Sequence, residues 1–292
     1  MTSQSMLLVS GSAILFTLIC LCYLLFTLQS QQRCRKQLQM DGLVKLNSIR
    51  KLLTHVQQHR GLSNGVLHGE ENLKPRLKGV TDSIETIQQD ISDNYPDLLD
   101  NERWQAMLDH WQRLAVDCIN LHVRNNLEQH NKLVLNLLYL INDIAFDHKL
   151  HQLSNSNSES IQFLWQELLF TAESIAQIRA LGTGIAAAKI CTRAERIRLN
   201  YLCQSLEQSI NIQQNQDYLL KIAHLLKVID NEIIITKPTI KANLFFNIAT
   251  ESIDMILASF DKQLNIVEYN LHTSTVENNQ AKQNPPLQKK PR

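Results

Sequence analysis

The chain has 292 residues, of which only 8 are glycine and 6 proline, about 5% of the total against roughly 12% in an ordinary globular protein. Sheet folds need a turn every ten residues or so, and nucleotide-binding α/β folds add glycine-rich loops, so this shortage leaves an all-α chain. The formal charge of +1 hides a partition: residues 37–275 hold 22 basic and 27 acidic side chains, and such a net-acidic body makes a poor duplex-DNA binder, which weighs against nucleic acid as a partner.

The first element is Met6–Leu28, a run of 23 uncharged and mainly apolar residues. It exceeds the roughly 20 residues that cross a hydrocarbon core as a helix, so residues 1–32 read as a short tail and a single transmembrane helix. A secretory signal peptide is the rival reading, but no positive region precedes the run and no small-residue cleavage site follows it. Arg33, Arg35 and Lys36 then form a basic connector over residues 33–42. The positive-inside rule sets the body in the cytoplasm, a single-pass protein of the inner (cytoplasmic) membrane. Six cysteines (Cys20, Cys22, Cys34, Cys118, Cys191, Cys203) form no CxxC pair and no zinc spacing, as suits a reducing compartment.

Breaks in the body are few and widely spaced: Gly69 with Pro75, Asn94 to Asp97, the polar run Ser154 to Ser158, and Lys237 to Thr239. They predict eight long helices, over 34–68, 73–92, 97–124, 126–151, 158–189, 191–214, 216–236 and 240–274. Short connections imply antiparallel neighbours, hence a long up-down bundle or two stacked four-helix bundles spanning 43–275. The remainder, 276–292, reads as a disordered basic tail.

One segment repeats at an offset of 119 residues. Gln58 to Val66 aligns with Gln177 to Ile185 as Q-x-R-x-L-x-x-G-[VI]. In the first copy Leu46, Ile49, Leu53, Val56, Arg60, Ser63 and Leu67 follow a 4-3 alternation, and in the second Trp165, Leu168, Ala172, Ile175, Arg179, Gly182 and Ala186 do the same. Each apolar seam therefore runs through an arginine, Arg60 or Arg179. A guanidinium keeps its proton, so burying it costs several kcal/mol unless an anion or a set of acceptors compensates. Gly61, Ser63, Gly65, Gly182 and Gly184 follow the arginines and leave volume beside them. Two readings stay open: the forks grip a small planar oxyanion, or each pairs with a carboxylate on a neighbouring helix while the glycines allow close approach.

The order of motifs resembles the nitrate- and nitrite-sensing (NIT) domain family of bacterial sensors and antiterminators. Gln57 to Ser63 is similar to its Q-x-E-R-G-x-S signature, with His59 in place of the acid. His130 to Val134, followed by Leu137, Leu138 and Ile141 to Ala145, resembles a middle signature. Glu173 to Gly182 resembles the second arginine signature, with Ala176 where glycine is usual, and Phe245 to Asp254 resembles the closing helix. The resemblance implies an all-helical double bundle that binds nitrate or nitrite through Arg60 and Arg179. It also implies that occupancy is relayed to an output module. Only a short polar stretch follows the last helix, so the expected output is a separate signalling partner protein, with a homodimer as a further possibility. The alternative is a ligand-free, membrane-tethered helical scaffold for protein association.

Other chemistry finds little support. His55 and His59 have a metal-compatible spacing but no third ligand can be named, and no Glu-x-x-His pair suggests a di-iron bundle. No G-x-S-x-G elbow and no phosphate loop occurs, so neither an enzyme nor a cofactor is expected.

Overall fold

The structure, a computed structural model, describes residues 3–155, 158–210 and 218–283, with side chains described between 16 and 273. Eight α-helices account for it among the described residues: α1 (Ser3–Leu67), α2 (Lys74–Asn94), α3 (Glu102–Asp117), α4 (Val123–Asp147), α5 (Leu169–Ala188), α6 (Arg193–Ile210), α7 (Leu219–Val228) and α8 (Ala242–Gln283). Two π-helical turns join them, Leu164–Leu168 ahead of α5 and Ile229–Ile233 after α7. The chain divides into one unit of residues 42–267 and another formed by residues 1–41 with 268–292.

Local chemistry explains the helix ends. Gly69 takes φ +95° just beyond α1, a left-handed position that glycine adopts without a steric penalty. Pro75 lies in the first turn of α2, where its missing N–H costs nothing. The Asn101 side chain accepts from the backbone N–H groups of Arg103 and Trp104, so α3 starts at Glu102 rather than near 97. Of the polar run 154–158, residues 156 and 157 lie outside the described residues, and α8 runs to Gln283, with the chain beyond it likewise outside them.

The all-α class holds, but the membrane span does not. No helix among the described residues is long and apolar enough to cross a membrane, which overturns the transmembrane reading of Met6–Leu28 and the single-pass inner-membrane placement derived from it. The first ten residues of that run lie outside the described side chains. What is described, Phe16–Leu28, is 13 residues, about 20 Å of helix, against a hydrocarbon core of about 30 Å. Gln29, Ser30, Gln31, Gln32 and Arg33 follow it directly.

Within the 42–267 unit the offset of 119 extends far beyond the sequence repeat. Shifted by it, α1 beyond residue 42 falls on α5 and its preceding π turn, α2 on α6, α3 on α7 and α4 on α8. The side-chain pairs follow the same rule. Ser63 meets Asn126 of α4, and Gly182 meets Phe245 of α8. Arg60 donates to Asn131 as Arg179 donates to Thr250. Gly65 lies against Thr183, and its two-fold counterpart Gly184 lies against Asn64. Two four-helix repeats are thus related by an approximate two-fold axis between α1 and α5. Those two helices run parallel, since contacts advance together from Gln57–Glu173 to Asn64–Ala180, while α4 runs antiparallel to α1.

The seams predicted from the alternation are buried in both repeats, from Leu46 to Ser63 and from Trp165 to Ala186. Glycine lets α5 and α8 close on each other, because a Cβ on Gly182 would sit 2.2 Å from Cε1 of the buried Phe245 ring. A Cβ on Gly79, exposed in α2, would meet nothing within 4 Å. Gly182→Ala is therefore expected to lower stability by about 1–3 kcal/mol, and Gly79→Ala to raise it by about 0.5–1 kcal/mol. Urea unfolding of the two variants checks this; equal shifts would contradict the close approach.

Candidate functional site

Arg60 and Arg179 both lie inside the four-helix junction of α1, α4, α5 and α8, at 0% and 1% exposure. Their surroundings differ sharply. Arg60 Nη1 donates to Glu173 Oε1 at 2.7 Å and Nη2 to Glu173 Oε2 at 3.0 Å, the bidentate geometry that suits a guanidinium and a carboxylate. Nη1 also donates to Asn131 Oδ1 at 2.7 Å, and Nε alone is buried without a partner. Glu173 in turn accepts from Gln57 Nε2 and Gln177 Nε2, so four polar donors saturate this buried carboxylate. Here the carboxylate-pair reading holds.

Arg179 has no such partner. Its Nη1 donates to Thr250 Oγ1 at 2.9 Å, and its guanidinium stands 4.7 Å from the Phe246 ring centroid. Nε and Nη2 are buried and make no hydrogen bond. Burial, and then the positive charge of Arg60, push its pKa down to about 9, still above neutral pH, so the cation persists. Asp254, on the exposed side of α8, pulls the other way. A buried guanidinium with two idle donor nitrogens costs several kcal/mol, and anything that supplied acceptors would recover part of it.

The small residues take positions that spacing alone does not reveal. Only Gly61 borders Arg179: a Cβ there would sit 3.6 Å from Arg179 Nε and 2.9 Å from Phe246 Cε2. Gly65 faces Leu73 and Thr183, Gly182 faces Phe245, and Gly184 faces Asn64 and His68. Ser63 Oγ donates to the Arg60 carbonyl and receives Asn126 Nδ2. The volumes beside Gly61, Gly65, Gly182 and Gly184 are filled by side chains instead of standing open. A cavity of about 10 Å³, room for about one water, touches Arg60, Asn131, Gln177 and the exposed Arg198, and Arg179 is not in its lining. The two forks therefore do not share one preformed cleft.

His59 and His130 lie one layer away. His130 Nδ1 faces the Asn126 carbonyl at 2.8 Å and must donate to it, leaving Nε2 to accept from His59 Nδ1–H at 2.8 Å. His59 Nε2 then carries a lone pair with no partner, and the ring meets Trp111 edge-on at 4.9 Å. His55 instead bonds the Lys51 carbonyl, so the spaced pair His55 and His59 forms no joint site. No group of three or more His, Cys, Asp or Glu among the described residues is placed to hold a metal.

Glu173, Asn131 and Thr250 are the partners that the seam pattern missed. The offset was the available signal: applied to Asn131 it selects Thr250. Compared with known proteins, the chain matches no family model, and neither a curated protein nor a solved structure matches it at a significant level.

Burial holds the His59 pKa at about 3 instead of 6.5, and that of His130 well below 6.5, where the charges of His59 and Arg60 add to the effect. Between the folded and unfolded values the unfolded chain binds protons that the folded one refuses. The stability from these neutral rings is thus full above about pH 6.5 and falls as pH drops toward about 3. His59→Asn keeps a donor to His130 and removes one titrating ring. It is expected to flatten stability between pH 5 and 4 by about 1.4 kcal/mol per pH unit, read by urea unfolding across that range; an unchanged slope would contradict the burial of a neutral His59.

Proposed function

We propose that this protein is a helical sensor that binds a small planar oxyanion of the nitrate or nitrite class, with Arg179 as its principal anion-binding residue. The observation that carries the reading is a fully buried guanidinium whose Nε and Nη2 have no acceptor. Those two nitrogens present parallel N–H bonds on one edge of the fork, the arrangement that grips two oxygens of a planar anion. The ligand class rests on the resemblance of the segments around Arg60 and Arg179 to nitrate- and nitrite-sensing domains, and not on any family match.

Arg60 supports the site from the opposite helix. Its charge adds to the local positive field, while its own hydrogen bonds go to Glu173 and Asn131. An anion on Arg179 would replace a buried cation without a carboxylate partner by a neutral pair and draw α5 and α8 against α1 at Gly61. A small shift of that kind biases α1 and α8, both of which continue beyond the 42–267 unit. A separate partner protein, or a second copy of the chain, would read the movement.

A ligand-free scaffold for protein association is the second reading, and the bidentate Arg60–Glu173 pair favours it. Calorimetric titration of the whole chain with sodium nitrate and sodium nitrite separates the two. One-site binding is expected, weakened at least about a hundredfold, or about 2.7 kcal/mol, in Arg179→Gln. Absence of heat in the unmodified chain would leave the scaffold, and unchanged affinity in the variant would move the site elsewhere.

A further inference from the structure

The two-fold relation between the repeats is broken at one chemically decisive pair of positions. Glu173 stands six residues before Arg179 on α5 and reaches across to Arg60. The two-fold equates Glu173 with Thr54, six residues before Arg60 on α1, so Thr54 is the position from which a carboxylate would answer Arg179. The flanking contacts obey the relation: Arg60–Asn131 maps on Arg179–Thr250, and Gly65–Thr183 maps on Asn64–Gly184. Threonine brings no charge, and its hydroxyl is already donated to the Arg50 carbonyl. One of two equivalent arginines is thus supplied with a carboxylate by the chain itself, and the other is left without.

We propose that Glu173 is a built-in occupant of one of two equivalent anion positions, that Thr54 leaves the other open, and that the protein consequently takes one monovalent oxyanion per chain and discriminates against divalent ones. The proposal rests on the anion-binding reading of Arg179. Its charge balance is simple. Buried Arg60 and Arg179 contribute two positive charges and buried Glu173 one negative charge. The exposed Arg76, 4.6 Å from the Phe246 ring, and the exposed Asp254 carry opposite charges and leave the sum unchanged. A monoanion brings the sum to zero. A dianion overshoots it in a place where water cannot screen the excess, and an unbalanced buried charge is what such a site rejects most strongly.

Glu173 and Thr54 are therefore specificity-determining residues although only one of them is charged. Exchange of either should move the preference in a direction fixed by the balance. Thr54→Glu supplies the missing carboxylate to Arg179 from within, with Thr54→Gln as its uncharged control of the same length. Glu173→Gln frees Arg60 and adds one positive charge to the site.

The test is calorimetry of the whole chain with sodium nitrate and sodium sulfate, together with thermal unfolding in the absence of both. Thr54→Glu is expected to lose at least about tenfold in nitrate affinity relative to Thr54→Gln, and to melt at a higher temperature than that control without any ligand. Glu173→Gln is expected to shift the sulfate-to-nitrate affinity ratio upward by at least about tenfold. Equal nitrate affinity in the two Thr54 variants, or an unchanged ratio in Glu173→Gln, overturns the internal-occupant account while anion binding itself stands. If the unmodified chain gives no heat with nitrate, the sensor reading falls. The melting temperatures then still decide the pairing: Thr54→Glu no more stable than Thr54→Gln overturns it as well.

Discussion

Two guanidinium groups that stay charged at neutral pH are buried between parallel helices, and among the described residues only one carboxylate, Glu173, is buried with them. Most of what is distinctive in the 42–267 unit follows from that imbalance. Arg60 and Glu173 form a bidentate pair, buttressed by Gln57, Asn131 and Gln177 with the Arg60 Nε left unbonded, and such a pair holds α1, α4 and α5 in register because removing either partner strands a charge in a low-dielectric interior. Arg179 is held by one hydroxyl and one aromatic face. The first arginine is a structural lock. The second is a buried cation with two donor nitrogens unused.

The helices are arranged so that this pair can exist. Parallel α1 and α5 bring the two copies of the motif level with each other, which antiparallel packing would have set apart. Gly61 and Gly182 allow Phe246 and Phe245 of α8 to approach to distances that a methyl group would forbid, and Phe246 then covers the face of Arg179. The two-fold is kept in the packing residues and broken in the polar ones: Asn131 against Thr250, His130 against Ala249, Glu173 against Thr54. Symmetry in shape with asymmetry in charge is what gives two structurally equivalent positions different chemistry.

Much of the fold was legible in the amino-acid pattern. Scarce glycine and proline, with the 4-3 alternation through Leu46 to Ser63 and Trp165 to Ala186, specify long helices and name the buried faces, arginines included. The offset of 119 was visible only in the helix that carries the arginines, because α4 and α8 keep the relation in position and not in residue type. Glu173 was harder to find, since a carboxylate six residues from an arginine on one helix says nothing about which arginine it reaches on the next. Apolar length at the amino end misled for the opposite reason. Hydropathy over Met6–Leu28 satisfies a spanning rule, yet no helix among the described residues is long and apolar enough to cross a membrane.

A crystal structure of the chain grown with nitrate examines the difference between the two arginines atom by atom. The expected result is planar triangular density bonded to Nε and Nη2 of Arg179, with both oxygens of Glu173 still on Arg60. Nitrate on Arg60 with Glu173 displaced, or Arg179 closed on Asp254 with no anion beside it, would contradict the account.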